Sequence, residues 1–195
     1  KSQIFANEFK IDYFCSMIEL KENCKLPSEY AEFIGQDYAN STSNKHKKEI
    51  GQFFTSKQIA HFMANLAVPK SNKISILDPG CGPAILSCSL IETLTLKCDL
   101  KEIDLTLYET DSEIISQTQK VIDFLDSWLT IKKIKLNFSI NKSDFILDNS
   151  QAFEQNSLFG NVQTKEYDYI ISNPPYFKIS KSDTRASLAK VLVYG

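Results

Sequence analysis

The chain has 195 residues, 43% of them hydrophobic and 24% charged, which is the composition of a globular protein and excludes a disordered or fibrous one. That length suits one α/β domain or most of one. The net charge of −2, with Arg185 the only arginine, gives no broad basic face of the kind that advertises nucleic-acid binding.

No stretch approaches the roughly 18 apolar residues of a membrane span, and no signal-peptide core opens the chain. Five cysteines (Cys15, Cys24, Cys81, Cys88 and Cys98) form an odd set without a CxxC pair. A disulfide framework or a metal site is therefore not expected, and reduced thiols in the cytoplasm are. Phe5, Phe9, Tyr13 and Met17 recur every four residues, which predicts an amphipathic helix over residues 1–20. Pro27 is read as ending that helical segment. The polar run from Asn40 to Lys48, with His46 in it, reads as a solvated loop. Residues 1–50 are thus expected to form a helical segment and loop, ahead of a catalytic domain over 51–195.

From Gly51 the pattern becomes regular. Thr55 or Ser56 is placed to cap a helix with Ile59, Phe62, Met63 and Leu66 on its core face. Ile74 to Leu77 reads as a buried strand running into Asp78-Pro79-Gly80-Cys81-Gly82, and a helix follows from Pro83 to Leu94. Residues 103–108 alternate as a second strand. Asp111 or Ser112 caps a third helix, with Ile114, Ile115, Val121, Ile122 and Leu125 facing inward. Further strands fit Ile134 to Ile140 and Tyr167 to Ile171. The order β-α-β-α-β…β predicts an α/β fold with a parallel sheet and right-handed crossovers, a Rossmann-like unit.

Such a unit binds its ligand beyond the carboxyl ends of the strands. Gly80 and Gly82 let the backbone turn tightly and approach a ligand, and Glu109 at the second strand's tip is placed to accept from ribose hydroxyls. This combination serves both dinucleotides and S-adenosylmethionine. Two details favour the latter: the turn DPGCGPA lacks the GxGxxG pyrophosphate fingerprint, and Asp78 would attract a methionine ammonium group but repel a pyrophosphate. Asp144, in Ser143-Asp144-Phe145, is placed to accept from an adenine amine, with helix capping as the plain alternative. Cys81 and Cys88 read as small packing residues rather than nucleophiles.

The fourth strand delivers Asn173-Pro174-Pro175-Tyr176 to the same edge. Asn-Pro-Pro terminates a strand well, yet termination alone does not call for an amide and an aromatic ring at the ligand edge. An adenine amine is a poor nucleophile because its lone pair is delocalised into the ring. The Asn173 side-chain oxygen and a proline carbonyl would accept from that amine, draw it toward tetrahedral geometry and stabilise the positive charge that develops. Tyr176 offers a stacking face for a base that has left its duplex.

These residues resemble the gamma-class N6-adenine DNA methyltransferases of restriction–modification systems, over roughly residues 51–185 and with a type IIG-like tail. Gly51-Gln52-Phe53-Phe54-Thr55 looks like the family's first cofactor motif, in which the threonine meets the methionine carboxylate. Asp78 to Gly82 looks like its glycine turn, Glu109 with Asp111 like its ribose-binding acidic motif, and Asp144-Phe145 like its adenine-contacting motif. Asn173 to Tyr176 matches its catalytic tetrapeptide, and the order, GQFFT first and NPPY last, is that of the gamma class. One departure stands out: Ala84 replaces the turn's usual last glycine, which leaves two outcomes, a tolerated methyl or a reduced cofactor affinity. The resemblance implies the cofactor S-adenosylmethionine, double-stranded DNA as partner, and a cognate nuclease, fused or separate. It also implies that further strands and the target-recognition part lie beyond this chain. The alternatives are methylation of a protein glutamine or an RNA adenine, whose enzymes lack a GQFFT helix, and an inactive specificity module.

Overall fold

Three seven-residue strands and one short edge segment build the sheet. The structure, a computed structural model, describes residues 25–41, 55–149 and 165–174. Its elements are α1 (Pro27–Ser41), α2 (Lys57–Asn65), β1 (Lys73–Pro79), α3 (Ile85–Lys97), β2 (Glu102–Tyr108), α4 (Ser112–Ile131), β3 (Lys135–Asn141) and β4 (Tyr169–Ile170). The four strands lie in the order β3-β2-β1-β4, all parallel. Ile74 pairs with Ile103 and Ile103 with Leu136, so the apolar residues stack in rows across the sheet. β4 is shorter than the expected Tyr167 to Ile171. Its ladder is nonetheless lengthened by Asp168 and Ile171, whose N–H groups donate to the carbonyls of Ser75 and Leu77.

α3 is buried over ten consecutive residues from Ile85 to Leu94, because α1 and α2 pack on it while it packs on β1. α4 keeps a single inward stripe of Ile114, Ile115, Val121, Ile122, Leu125 and Leu129, as its periodicity predicts. Asp111 caps it, its side chain accepting from the Glu113 N–H at 3.0 Å.

Two helices depart from the sequence reading. α1 begins where a stop is expected: Pro27 occupies its first turn, where a missing N–H costs nothing. Tyr30, Ala31, Ile34, Gly35 and Tyr38 form its buried face, and the helix runs on through Asn40 and Ser41. In α2 the expected core face is reversed. Ile59 (52% exposed), Phe62 (67%) and Leu66 (68%) face outward, and fully buried Ala60 and Ala64 meet α3, with Met63 half-buried beside them. Small residues permit the close helix–helix approach that larger ones would prevent.

The N-terminus of α1 is held by a buried acid on α3. Glu92 accepts from the Ser28 N–H (2.6 Å) and the Ser28 hydroxyl (2.7 Å), with His61 of α2 at 3.9 Å from the same carboxylate. Burial raises the Glu92 carboxyl above its ordinary range. Serine, histidine and glutamate together suggest a nucleophile at first sight. Ser28, however, is fully enclosed and gives both its protons to Glu92. The trio therefore fastens α1, α2 and α3 together.

The segments 1–20 and 42–50, the GQFF residues 51–54, and Cys15, Cys24, Pro175, Tyr176 and Arg185 lie outside the described residues.

Candidate active site

The turn after β1 sits between the ends of β2 and β4. The Gly80 and Cys81 N–H groups both donate to the Tyr108 carbonyl at 2.9 Å, which ties the turn to β2. The Ser172 hydroxyl donates to the Pro79 carbonyl at 3.0 Å, which ties it to the segment leaving β4. Gly80 (φ 82°) and Gly82 (φ 51°) both take the left-handed conformation that glycine adopts without strain. Among the described residues nothing lies within 4 Å of the point where a Gly80 Cβ would stand, which leaves the backbone there open to a ligand. Ala84 also has a positive φ, 62°, and is fully buried. Glycine adopts this conformation most readily, and here the alanine methyl is accommodated in it.

Asp78 ends in a fully buried carboxylate. Its Oδ2 accepts from the Ser87 hydroxyl at 2.6 Å, while Oδ1 has no partner among the described residues. Burial, reinforced by the nearby Glu109 charge and opposed by the Ser87 bond, pushes its pKa up to about 7. An enclosed carboxylate in this condition accommodates a cation or a proton.

Glu109 gathers three backbone donors. Oε2 accepts from the Gly82 N–H (2.9 Å), and Oε1 accepts from the Thr110 (2.8 Å) and Asp111 (2.9 Å) N–H groups. A carboxylate has about four acceptor directions. Both oxygens are thus engaged in holding the turn, and a pair of ribose hydroxyls would meet a carboxylate with about one direction left. Around it, the Tyr38 hydroxyl donates to Asp111 Oδ2 at 2.5 Å, and the Thr118 hydroxyl donates to the Gly82 carbonyl at 2.6 Å.

Asp144 caps the short helix over residues 145–149, its Oδ1 accepting from the Ile146 (2.8 Å) and Leu147 (3.2 Å) N–H groups. The plain capping alternative therefore describes what this oxygen does. Phe145 stands edge-on to Tyr108, with ring centroids 5.1 Å apart. Cys81 and Cys88 are buried free thiols whose pKa values burial pushes well up, as packing residues rather than nucleophiles require.

Asn173 and Thr55 meet across 118 positions of sequence, the Asn173 Nδ2 donating to Thr55 Oγ1 at 2.9 Å. Ser56, not Thr55, is the N-cap residue of α2, and its side chain makes no capping bond. The Lys57 N–H is instead satisfied by Glu32 of α1 at 2.9 Å, and the Lys57 ammonium pairs with Glu29 at 2.9 Å. The Thr55 hydroxyl is thereby committed to the site rather than to its own helix.

The structure therefore brings Thr55, Asp78, Gly80, Cys81, Gly82, Glu109, Asp144, Phe145, Asn173 and Pro174 to the carboxyl ends of the strands. Four contributors were not read from the sequence: Ser87, Thr118, Tyr38 and Glu32. Ser87 and Thr118 carry a usable signal, a polar side chain on the apolar face of a helix. Tyr38 and Glu32 lie on α1, whose opening Pro27 reads in the sequence as a stop.

The sequence matches the model of the N-6 DNA Methylase family over residues 26–189. It is 32% identical over 158 residues to the type II methyltransferase M.PstI of Providencia stuartii, covering 80% of this chain and 30% of that protein. It is 27% identical over 158 residues to the type II methyltransferase M.AccI of Acinetobacter calcoaceticus, covering 81% of this chain and 24% of that protein. The chain thus spans less than a third of the length of these curated relatives. A crystal structure from Listeria monocytogenes, assigned to the class I S-adenosylmethionine-dependent methyltransferases, superposes with a TM-score of 0.54 at 19% identity. That match covers 85% of this chain and 44% of the other, and it shows a shared α/β fold. With a family match reaching from the start of α1 past the Asn173-Pro174-Pro175-Tyr176 tetrapeptide, the chain belongs to the N-6 DNA Methylase family.

Proposed function

We propose that this chain is the methyl-donor and target-amine portion of a site-specific DNA methyltransferase that transfers a methyl group from S-adenosylmethionine to adenine N6. The protein would work in the cytoplasm within a restriction–modification system beside a nuclease, fused or separate. The observation that carries this reading is the meeting of Thr55 with Asn173 at strand ends already occupied by the glycine turn and its two acids.

The residues fit the cofactor. Asp78 offers a buried carboxylate oxygen without a partner among the described residues, suited to an ammonium group, and Gly80 leaves open backbone near it. Thr55 would meet the methionine carboxylate, Glu109 a ribose hydroxyl through its remaining acceptor direction, and Phe145 the adenine face, with Asp144 beside it. Cys81 and Gly82 line the turn. When bound, S-adenosylmethionine supplies an electrophilic sulfonium methyl.

The chain's own part is to make the acceptor amine nucleophilic. The Asn173 carbonyl oxygen and the Pro174 carbonyl accept its two N–H bonds, which localises the nitrogen lone pair and stabilises the developing positive charge. The prolines hold the turn so that little reorganisation is needed, and Tyr176 stacks on a flipped adenine. The amine proton leaves to solvent after transfer, so no general base with an unusual pKa is called for.

The test is Asn173→Ala in the full-length protein. Nucleoside analysis of incubated DNA should show N6-methyladenine with the native protein. The variant should lose transfer at least about 100-fold, the scale of removing one charge-stabilising group, with cofactor affinity within about threefold of the native protein's. Near-native turnover in the variant would overturn the assignment.

A further inference from the structure

An asparagine amide can face a substrate amine with either end, and only its oxygen can accept. Nothing in the Asn173 backbone decides which end is presented. A neighbour that bears on it directly is Thr55, whose Oγ1 receives the Asn173 Nδ2 at 2.9 Å. A hydroxyl alone is ambiguous, because it can donate or accept with equal ease. The ambiguity disappears once its single proton is given to an anion. Oγ1 is then left only as an acceptor, Nδ2 must face it, and the amide oxygen must point away from it at the other edge of the planar amide.

We infer that Thr55 is a positioning residue that sets the amide orientation of Asn173, and that a carboxylate accepting the Thr55 proton enforces this setting. The inference rests on the reading above, in which the methionine carboxylate is that acceptor. Cofactor binding then does more than deliver a methyl group: it converts the Thr55–Asn173 contact from a reversible pairing into one with a fixed direction. By linkage, a correctly oriented Asn173 in turn favours the cofactor. The location of Thr55 suits this role. It stands immediately before α2, whose first turn is pinned to α1 by the Glu32 bond to the Lys57 N–H and by the Lys57–Glu29 pair. Asn173 is held from the other side through Ser172, which donates to Pro79.

The test uses the full-length protein with Thr55→Val, which removes the hydroxyl at nearly constant shape, and Thr55→Ser, which keeps it. At saturating cofactor, the valine variant should lose at least tenfold in kcat with the KM for DNA within threefold. The serine variant should return to within threefold of native. A second readout needs no turnover. Hydrogen exchange of the Asn173 side-chain NH2, assigned by its loss in Asn173→Ala, should slow on adding S-adenosylhomocysteine in the native and serine proteins but not in the valine variant. A valine variant with native kcat, or with the same slowing of exchange, overturns the inference. If the native protein transfers no methyl to adenine while the exchange still depends on Thr55, the functional reading fails and the positioning stands. Thermal unfolding of each variant separates loss of the contact from loss of the fold.

Discussion

A carboxylate as deeply enclosed as Asp78 is ionised only against the cost of leaving water, and Ser87 returns just part of that cost. Its pKa stands near 7 in the folded chain against an ordinary 3.8. The protonated form is therefore the one that folding favours. This contribution to stability is fully present below about pH 4 and is lost as the pH rises through about 7. Asp78→Asn does not titrate and escapes this loss, so the variant without cofactor should gain on the native protein between pH 5 and 8, by up to about 4 kcal/mol at roughly 1.4 kcal/mol per pKa unit. Because burial shifts Glu92 in the same direction, the quantity to follow is the difference between variant and native urea midpoints at each pH. The same substitution should weaken cofactor binding at least tenfold, by removing the charge that faces the ammonium group. Equal pH dependence in the two proteins would show that Asp78 is not the titrating group.

At the scale of elements, the site depends on how three helices are fastened. Glu92 links α3 to the first turn of α1, so Glu92→Ala leaves the buried Ser28 N–H and hydroxyl without their acceptor. A loss of about 2–4 kcal/mol in urea unfolding is expected, with Glu92→Gln losing less because its amide oxygen still accepts one bond. An alanine variant as stable as the native protein would remove Glu92 from this role. How far these elements could be read from sequence follows from where local pattern and tertiary packing agree. α4 and the strands were legible because one apolar stripe or a two-residue alternation faces a single core. α2 was legible as a helix but not in its orientation: the periodicity of Ile59, Phe62 and Leu66 marks its outer face, since alanines make the close contact with α3. α1 was hidden by Pro27, which stops a preceding helix and starts a following one with the same geometry. The site residues were legible as strand-end motifs. Their bonds to Ser87, Thr118, Tyr38 and Glu32 were not, because these partners lie on other elements and no local spacing connects them.

At the scale of the molecule, the composition gains a different meaning. A net charge of −2 and a lone Arg185 give this chain little with which to grip a phosphate backbone or read guanine edges. In the proposed enzyme those tasks fall to parts outside it, consistent with its spanning less than a third of its type II relatives. None of the described helices is long and apolar enough to cross a membrane. What the described residues do hold is a glycine turn with two buried acids, and Asn173 bonded to Thr55, at the carboxyl ends of the strands. The most direct measurement incubates the full-length protein with S-adenosylmethionine labelled in its methyl group and offers double-stranded DNA, RNA and protein acceptors in parallel. The label should enter DNA as N6-methyladenine and leave the other acceptors unmarked. Label in RNA or protein with DNA unmarked would contradict the account.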